Sequence, residues 1–237
     1  MRIRVYSLLL CFVFCTVSLS AQQTDEHGRN LDKLTLKKRG LNKERYSHFF
    51  IGYGFLLGKA ESDSAQTIIP KSSSFQLGYL HKRKVNNWYE LGFDLMYHYR
   101  SFHIQQDSMK KVPNNQLVKK EKLVFNSIQL MPFQRIKFKN KYHSAGIFLD
   151  MGAFAGWNYR IKHQTQEINN TPHTGKTKTV NLRLNYTEDF TYGVMARLGI
   201  NRFVFYGRYY FSDLFKDQSN LPELTRYEVG LRIGVHQ

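Results

Sequence analysis

Three polar residues near the middle of the chain, His98, Ser101 and His103, are the side chains best placed by type to do chemistry. A histidine base beside a serine nucleophile can catalyse acyl transfer when an acid orients the base. The residues around them alternate between apolar and polar, as in a β-strand, so Ser101 and His103 should point away from His98. We therefore interpret all three as a polar strand end and keep a small outer-membrane lipid-modifying hydrolase as an alternative.

Other candidate sites are weaker. The Gly-Lys-Thr tripeptide at 175–177 resembles the end of a phosphate-binding loop, but Asn170 stands where that loop requires glycine. The nine histidines show no metal-ligand spacing supported by carboxylates. Both cysteines, Cys11 and Cys15, lie near the N-terminus, within a predicted signal peptide, so the mature chain should lack cysteine nucleophiles and ligands. We predict no catalytic residues, no cofactor and no metal, and therefore no enzymatic activity.

A further set of acids and arginines shares one face of the alternating stretches with glycine, opposite a bulky apolar face. Opposite charges buried in a narrow barrel are costly unless they pair, and the planar arginine fork suits carboxylates. We expect a set of structural charges in a barrel lumen: Glu90, Asp94, Arg100, Asp150, Arg160, Arg197, Arg208, Glu228 and Arg232.

The elements that position these residues are clearest at 227–235, where bulky apolar residues take the odd positions and glycine or charge the even ones. One such stretch is a weak signal for a transmembrane β-barrel, and its repetition makes the signal meaningful. The alternating stretches fall at roughly 49–58, 74–79, 89–100, 122–138, 147–160, 190–199, 203–211 and 227–235. In the fourth of them, 122–138, Pro132 predicts a bulge or a strand end.

The connections between the stretches alternate in length. Long ones fall near 59–73, 104–121, 163–179 and 213–226, and short ones near 83–87, 139–143 and 200–202. A barrel with both ends in the periplasm needs short periplasmic turns and longer external loops in this order. We predict an all-β fold, an eight-stranded antiparallel transmembrane β-barrel, with its interior filled by side chains.

Period two alone does not say which face is inward. A soluble periplasmic lipocalin-like binding barrel would turn its apolar face toward a ligand, and it stays as an alternative. The glycines and arginines on the polar face, and the aromatic residues near the strand ends, favour an apolar face toward lipid.

The N-terminus predicts export. Two arginines, a short apolar run and small residues ending at Ala21 form a secretory signal peptide. We therefore predict a signal peptide at 1–21, a polar periplasmic segment at 22–47 and an outer-membrane β-barrel domain at 48–237. The expected location is the bacterial outer membrane.

The charge balance indicates the kind of partner. The chain has 35 Lys and Arg against 18 Asp and Glu, a formal net charge of +17. In an exported protein this excess favours outer-membrane lipid and lipopolysaccharide over nucleic acid.

Residues 205–216, Phe-Tyr-Gly-Arg-Tyr-Tyr-Phe-Ser-Asp-Leu-Phe-Lys, together with the glycine-punctuated last stretch, resemble the PorT-like family of small outer-membrane β-barrels of Bacteroidota. In that family the seventh strand often ends in an arginine-tyrosine pair and a short Ser/Thr-Asp-Leu/Ile-Phe segment, here 212–215. The resemblance implies an eight-stranded barrel with a structural or interaction role in the envelope. It also implies an accessory role in type IX protein secretion, with envelope or secretion proteins as partners. One departure is the ending Val-His-Gln, since such barrels commonly end in an aromatic residue.

Overall fold

The computed structural model describes residues 45–58, 60, 62–69, 71–139, 146–168, 176–182, 184–200 and 202–235. The predicted signal peptide and nearly all of the predicted polar segment lie outside these residues. The described residues form antiparallel strands and two short 3-10 helices, with no α-helix. Neither 3-10 helix is long and apolar enough to cross a membrane, a finding that concerns helices and not strands. The strands are β1 (Arg45–Leu57), β2 (Ser73–Lys84), β3 (Tyr89–Ile104), β4 (Lys120–Lys139), β5 (Ile147–Ile168), β6 (Lys176–Leu182), β7 (Phe190–Ile200), β8 (Phe203–Tyr210) and β9 (Tyr227–Val235).

Eight of the strands close into a ring in the order β1-β2-β3-β4-β5-β7-β8-β9, and β9 pairs again with β1. All neighbours are antiparallel, and the closing pair runs from Phe49↔Val235 to Leu57↔Tyr227. Among the described residues, closure leaves no unpaired sheet edge along the lipid-facing part of the ring, which a membrane requires because lipid cannot satisfy backbone polar groups. The predicted eight-stranded barrel is confirmed.

The apolar face of the barrel points outward. On β9, Val229 and Ile233 are 41% and 45% exposed, whereas Glu228 and Arg232 are 0% and 2% exposed. The burial pattern of β7 alternates without interruption in the same sense. This is the reverse of a soluble ligand-binding barrel, which buries its apolar face.

Inward glycines make room for aromatic rings from the neighbouring strand. A Cβ at Gly92 would lie 2.6 Å from the ring of Phe133, and one at Gly193 would lie 2.7 Å from the ring of Phe154. The narrow lumen is therefore filled in part by rings lying over glycine, which explains the glycines on the polar face of the sequence pattern.

Two features of β4 and β5 differ from the sequence predictions. The predicted irregularity at Pro132 is wrong, because β4 keeps one register with β5 from Leu130↔Ala155 to Phe133↔Gly152. The register shifts occur instead at Asn126/Ser127 and at Lys137/Lys139. Pro132 is exposed on the lipid-facing side of β4.

The predicted long connection at 163–179 is largely strand. β5 continues to Ile168, and its upper part pairs with β6 from Lys162↔Leu182 to Ile168↔Lys176. Below this hairpin, β5 pairs with β7 up to Trp157↔Phe190. The sequence pattern did not predict the extension of β5 at 163–168, because these residues lie beyond the lipid-facing band. They are therefore mostly polar and show no alternation between apolar and polar residues.

Candidate functional site

Among the described residues, four carboxylates lie in the lumen below the long connections, and each is bound by cations or hydrogen-bond donors. They are those of Glu90, Asp94, Asp150 and Glu228. Nearest the short turns, Glu90 forms a 2.6 Å ion pair with Lys82 and a second ion pair with Lys137. Arg135 lies 3.9 Å from the same carboxylate. These side chains are almost wholly buried, so their charges are compensated by one another and not by water.

In the middle of the lumen, Asp150 and Asp94 are joined by a shared arginine. Arg135 binds both oxygens of Asp150, at 2.6 Å and 2.9 Å. Arg197 lies 3.1 Å from Asp150 through Nη2 and donates to Asp94 through Nη1. Arg232 donates to the same Asp94 oxygen at 2.8 Å. The acids and guanidinium groups therefore form one continuous chain across the barrel.

Nearer the long loops, Glu228 collects hydrogen bonds from several strands. His98 lies 3.2 Å from its Oε1, and Arg208 lies 3.9 Å from its Oε2. The hydroxyl and amide donors to the carboxylate are Ser74 Oγ at 2.6 Å, Gln76 Nε2 at 2.9 Å, Tyr206 OH at 2.9 Å and Tyr210 OH. These donors satisfy both oxygens of the buried carboxylate.

Each buried arginine in the described residues also stacks on an aromatic ring. The attraction between a guanidinium and a ring face stabilises the cations, which outnumber the carboxylates in the lumen. Arg100 has no described carboxylate within ion-pair distance, and its guanidinium lies 4.4 Å from the ring centre of Tyr210. The remaining stacks join Arg135 to Phe148 at 3.7 Å, Arg208 to Phe154 at 3.9 Å, Arg197 to Phe133 at 4.4 Å and Arg232 to Phe50 at 4.4 Å.

The structure places eight of the nine predicted lumen charges in the interior, where none is more than 3% exposed. They are Glu90, Asp94, Arg100, Asp150, Arg197, Arg208, Glu228 and Arg232. The ninth prediction, Arg160, is wrong, because this side chain is exposed. The reason is a β-bulge: Asn126 pairs with Arg160 but Ser127 pairs with Asn158, so Tyr159 is the extra residue and the phase reverses beyond it.

Sequence reasoning missed three cations that complete the network, Lys82, Arg135 and Lys137. Lys82 continues the inward phase of β2 two residues beyond Leu80, so a longer reading of that stretch would have found it. The other two lie on β4, where the outward set was the least regular of all the stretches.

Above the lumen, the long connections cover the barrel mouth with an apolar cap. Ala65 and Val112 come from the first two long connections and are fully buried. They join Leu214, Phe215 and Leu224 from the last connection in one cluster with inward residues of β1, β3, β4 and β5. The mouth is therefore packed with apolar side chains and not filled with water.

The Ser-Asp-Leu-Phe segment that carries the family resemblance holds this cap in place. Glu223 accepts hydrogen bonds from the backbone N–H of Leu214 at 2.9 Å and of Phe215 at 3.0 Å. Burial raises the pKa of the Glu223 carboxyl, and these two donors oppose the shift. Ser212 Oγ accepts from the backbone N–H of Tyr192 at 3.1 Å, which ties the segment to β7.

A second contact ties the loop between β3 and β4 to the barrel. Lys110 is only 4% exposed and forms an ion pair with Glu121, whose other oxygen lies 2.6 Å from His163. Gln106 Nε2 donates to the same Glu121 carboxylate at 2.9 Å. Lys110 is therefore part of the buried structure, unlike a solvated loop lysine.

On the outer surface, the upper parts of β4, β5 and β6 carry a cationic face, which we define as Lys120, Lys122, Lys162 and Lys178. Cross-strand pairing puts them on one side, since Gln166 pairs with both Lys120 and Lys178. The face lies beyond the exposed aromatic residues of β5, outside the lipid-facing band. Burial lowers the pKa of Lys122, and repulsion from Lys178 and Lys162 lowers it further.

The candidate hydrolytic residues do not assemble. His98 is fully buried and bound to Glu228 and Arg208, whereas Ser101 lies on the alternate side of β3. His103 lies beyond the lipid-facing band, and its backbone N–H donates to Ser72 at 3.0 Å. In the described part of the chain, no three His, Cys, Asp or Glu side chains are grouped as metal ligands.

Comparison with known proteins agrees with this geometry. A family model described as outer membrane protein beta-barrel domain matches residues 21–214, well over half of the 237 residues. No curated protein matches the chain. The match and the closed, outwardly apolar ring lead to the same assignment. The chain belongs to the family of outer membrane protein beta-barrel domains.

Proposed function

We propose that this chain is a closed scaffold of the outer membrane, a non-enzymatic barrel that conducts no solute and acts through its external surfaces. One observation carries the proposal: the ion-pair chain through Asp94 and Asp150 crosses a lumen whose mouth is covered by the apolar cap. A hydrated ion could pass only by breaking buried ion pairs, which costs several kcal/mol for each pair.

Conductance in planar lipid bilayers tests the closed interior. We expect no stepwise conductance from reconstituted protein whose folding is verified by its heat-modifiable mobility on gels. Reproducible steps from the wild-type protein, with a voltage-independent ion selectivity, would contradict the proposal.

The external surface supports a role in binding anionic envelope components. The lysines of the cationic face form no ion pair within the described residues, and they face one way, so they attract phosphates. The face also lies next to the expected headgroup level. We expect lipopolysaccharide to copurify with the protein and to be lost in the Lys122→Gln/Lys178→Gln variant and at high salt. The matched control, Lys84→Gln/Lys111→Gln, removes the same charge elsewhere and should retain the lipid. Equal retention by both variants would refute this role of the face.

A PorT-like role as an accessory to type IX secretion in Bacteroidota is the finer form of the proposal. It is supported by the 205–216 resemblance and by the packed cap that the 212–215 segment anchors, whose outer side faces the exterior, where envelope proteins could bind. Deletion of the chain should then reduce secreted cargo, with restoration by the wild-type chain. A secretome unchanged by deletion would refute the secretion role.

Export through the predicted signal peptide has its own test. N-terminal sequencing of the protein from outer-membrane fractions should begin at Gln22. A mature chain that retains Met1 would contradict cleavage.

A further inference from the structure

The wall of the barrel has a gap just above its lipid-facing band. β5 pairs with β7 up to Trp157↔Phe190 and with β6 from Lys162↔Leu182. Among the described residues, 159–161 therefore have no strand partner on that side, and at Asn158 only a single backbone hydrogen bond from its N–H to the oxygen of Asp189, at 2.7 Å, continues the contact with β7. A cavity of about 440 Å³ lies at the gap, between β5, the end of β6 and the loop that contains Lys216.

The cavity contains a buried acceptor with no donor. Asn158 is only 5% exposed and lines the cavity. Its Nδ2 donates to the carbonyl oxygen of Glu188 at 3.1 Å, which fixes the amide, and its Oδ1 has no hydrogen-bond partner. A buried acceptor without a donor costs free energy, and a ligand hydroxyl or amine placed here would recover it.

Two cations line the same cavity, Arg160 and Lys216. Neither forms an ion pair within the described residues. Hydrogen bonds fix the backbone at both residues. Asn126 Nδ2 donates to the carbonyl oxygen of Arg160 at 3.1 Å, and the backbone N–H of Lys216 donates to the carbonyl oxygen of Tyr186 at 2.9 Å. The β-bulge that turned Arg160 out of the lumen thus supplies a cation to the gap.

Apolar side chains complete the lining. Ile161, which follows Arg160 on β5, and Leu182 at the end of β6 both contribute. The exposed carboxylate of Asp189 lies at the cavity as a second acceptor. Cations, fixed acceptors and an apolar surface together are the complement of a sugar that carries both a phosphate and free hydroxyl or amino groups.

We propose that this gap binds a phosphorylated sugar. The phosphate pairs with Arg160 and Lys216, and a sugar hydroxyl or amine donates to Asn158 Oδ1. Trp157, which is 47% exposed, lies directly below the gap, so the site is at the level of outer-leaflet headgroups. A phosphorylated glycolipid headgroup and a free sugar phosphate share this chemistry. The inference rests on the proposed contact with anionic envelope lipid and assigns it a defined site.

Intrinsic fluorescence can report occupancy, because the chain has two tryptophans and Trp88→Phe leaves Trp157 as the sole reporter. The folded variant in detergent is titrated with glucosamine 1-phosphate. In separate experiments, in nanodiscs, it is titrated with lipid A and with lipid A stripped of its phosphates. We expect a saturable change in Trp157 emission with phosphorylated probes only. Arg160→Gln/Lys216→Gln should weaken binding roughly tenfold or more, and Asn158→Ala should weaken it less.

The outcomes separate the ligand sources. A response to both phosphorylated probes assigns a general phosphosugar site, and a response to lipid A alone assigns a headgroup site. Binding that is unchanged in Arg160→Gln/Lys216→Gln, or no saturable response to either phosphorylated probe, would overturn the inference. The cationic-face variant Lys122→Gln/Lys178→Gln should keep the Trp157 response, because neither lysine lines the cavity, whereas Arg160→Gln/Lys216→Gln should weaken it and leave the cationic face intact. Failure of the gap site and failure of the cationic-face proposal are therefore distinguishable.

Discussion

Asp94→Asn is the most direct test of the lumen network. Asp94 is fully buried, and one of its oxygens accepts from both Arg197 and Arg232. Asparagine keeps the shape and one acceptor oxygen but removes the charge, so two buried guanidinium groups lose their shared anion. Removing one partner of a buried ion pair typically costs about 3–5 kcal/mol, and the retained acceptor places our expectation near 3 kcal/mol.

The assay is equilibrium urea unfolding in detergent micelles, followed by tryptophan fluorescence and by heat-modifiable gel mobility. Asp213→Asn is the matched control, because it removes the same charge from the Arg226 pair, whose side chains are 30% and 47% exposed. Solvent screening limits such a pair to about 0–1 kcal/mol. Equal free energies of unfolding for Asp94→Asn and Asp213→Asn would refute the reasoning that buried charge pairing stabilises the barrel.

Three further predictions concern single side chains. Arg232→Leu should lower the thermal unfolding temperature in detergent, because Gln76 loses its 2.7 Å donor and Asp94 keeps only Arg197; an unchanged temperature would contradict the pairing. Because the pKa of Glu223 is raised in the folded protein, its contribution to folding is greatest below the unfolded pKa and is lost as pH rises through the folded pKa. Hydrogen exchange of residues 211–226, corrected for intrinsic rates, should therefore become faster as pH rises. Glu223→Gln should abolish this pH dependence, and a dependence that persists in the variant would exclude Glu223 as its source. Gly193→Leu should prevent folding to the heat-modifiable form, because a Cβ there would clash with the backbone oxygen of Tyr209 and would lie 2.7 Å from the ring of Phe154. Normal folding would show that both the β8 backbone and the ring can shift.

Much of the fold could be predicted from local sequence. Alternation with period two identified the ring strands and assigned Glu228 and Arg232 to one face and Val229 to the other, because a strand turns successive side chains to opposite sides. The alternation of long and short connections indicated that the strands follow one another around a barrel. The same rule failed at Arg160, since a single extra residue at Tyr159 reverses the phase and no local residue type marks it.

The candidate sites depended on contacts that alternation does not encode. The sequence by itself determined most of the lumen residues, because inward or outward orientation follows the alternation of each strand, whereas the bulge that turns Arg160 outward comes from the pairing of β4 with β5. Only the tertiary structure decided that Arg232 of β9 reaches Asp94 of β3, with β1 and β2 between them in the ring, and that Lys216 lies at the gap beside Arg160. Those partners are selected by ring closure, strand register and side-chain reach across the barrel, which are properties of the whole assembly of strands.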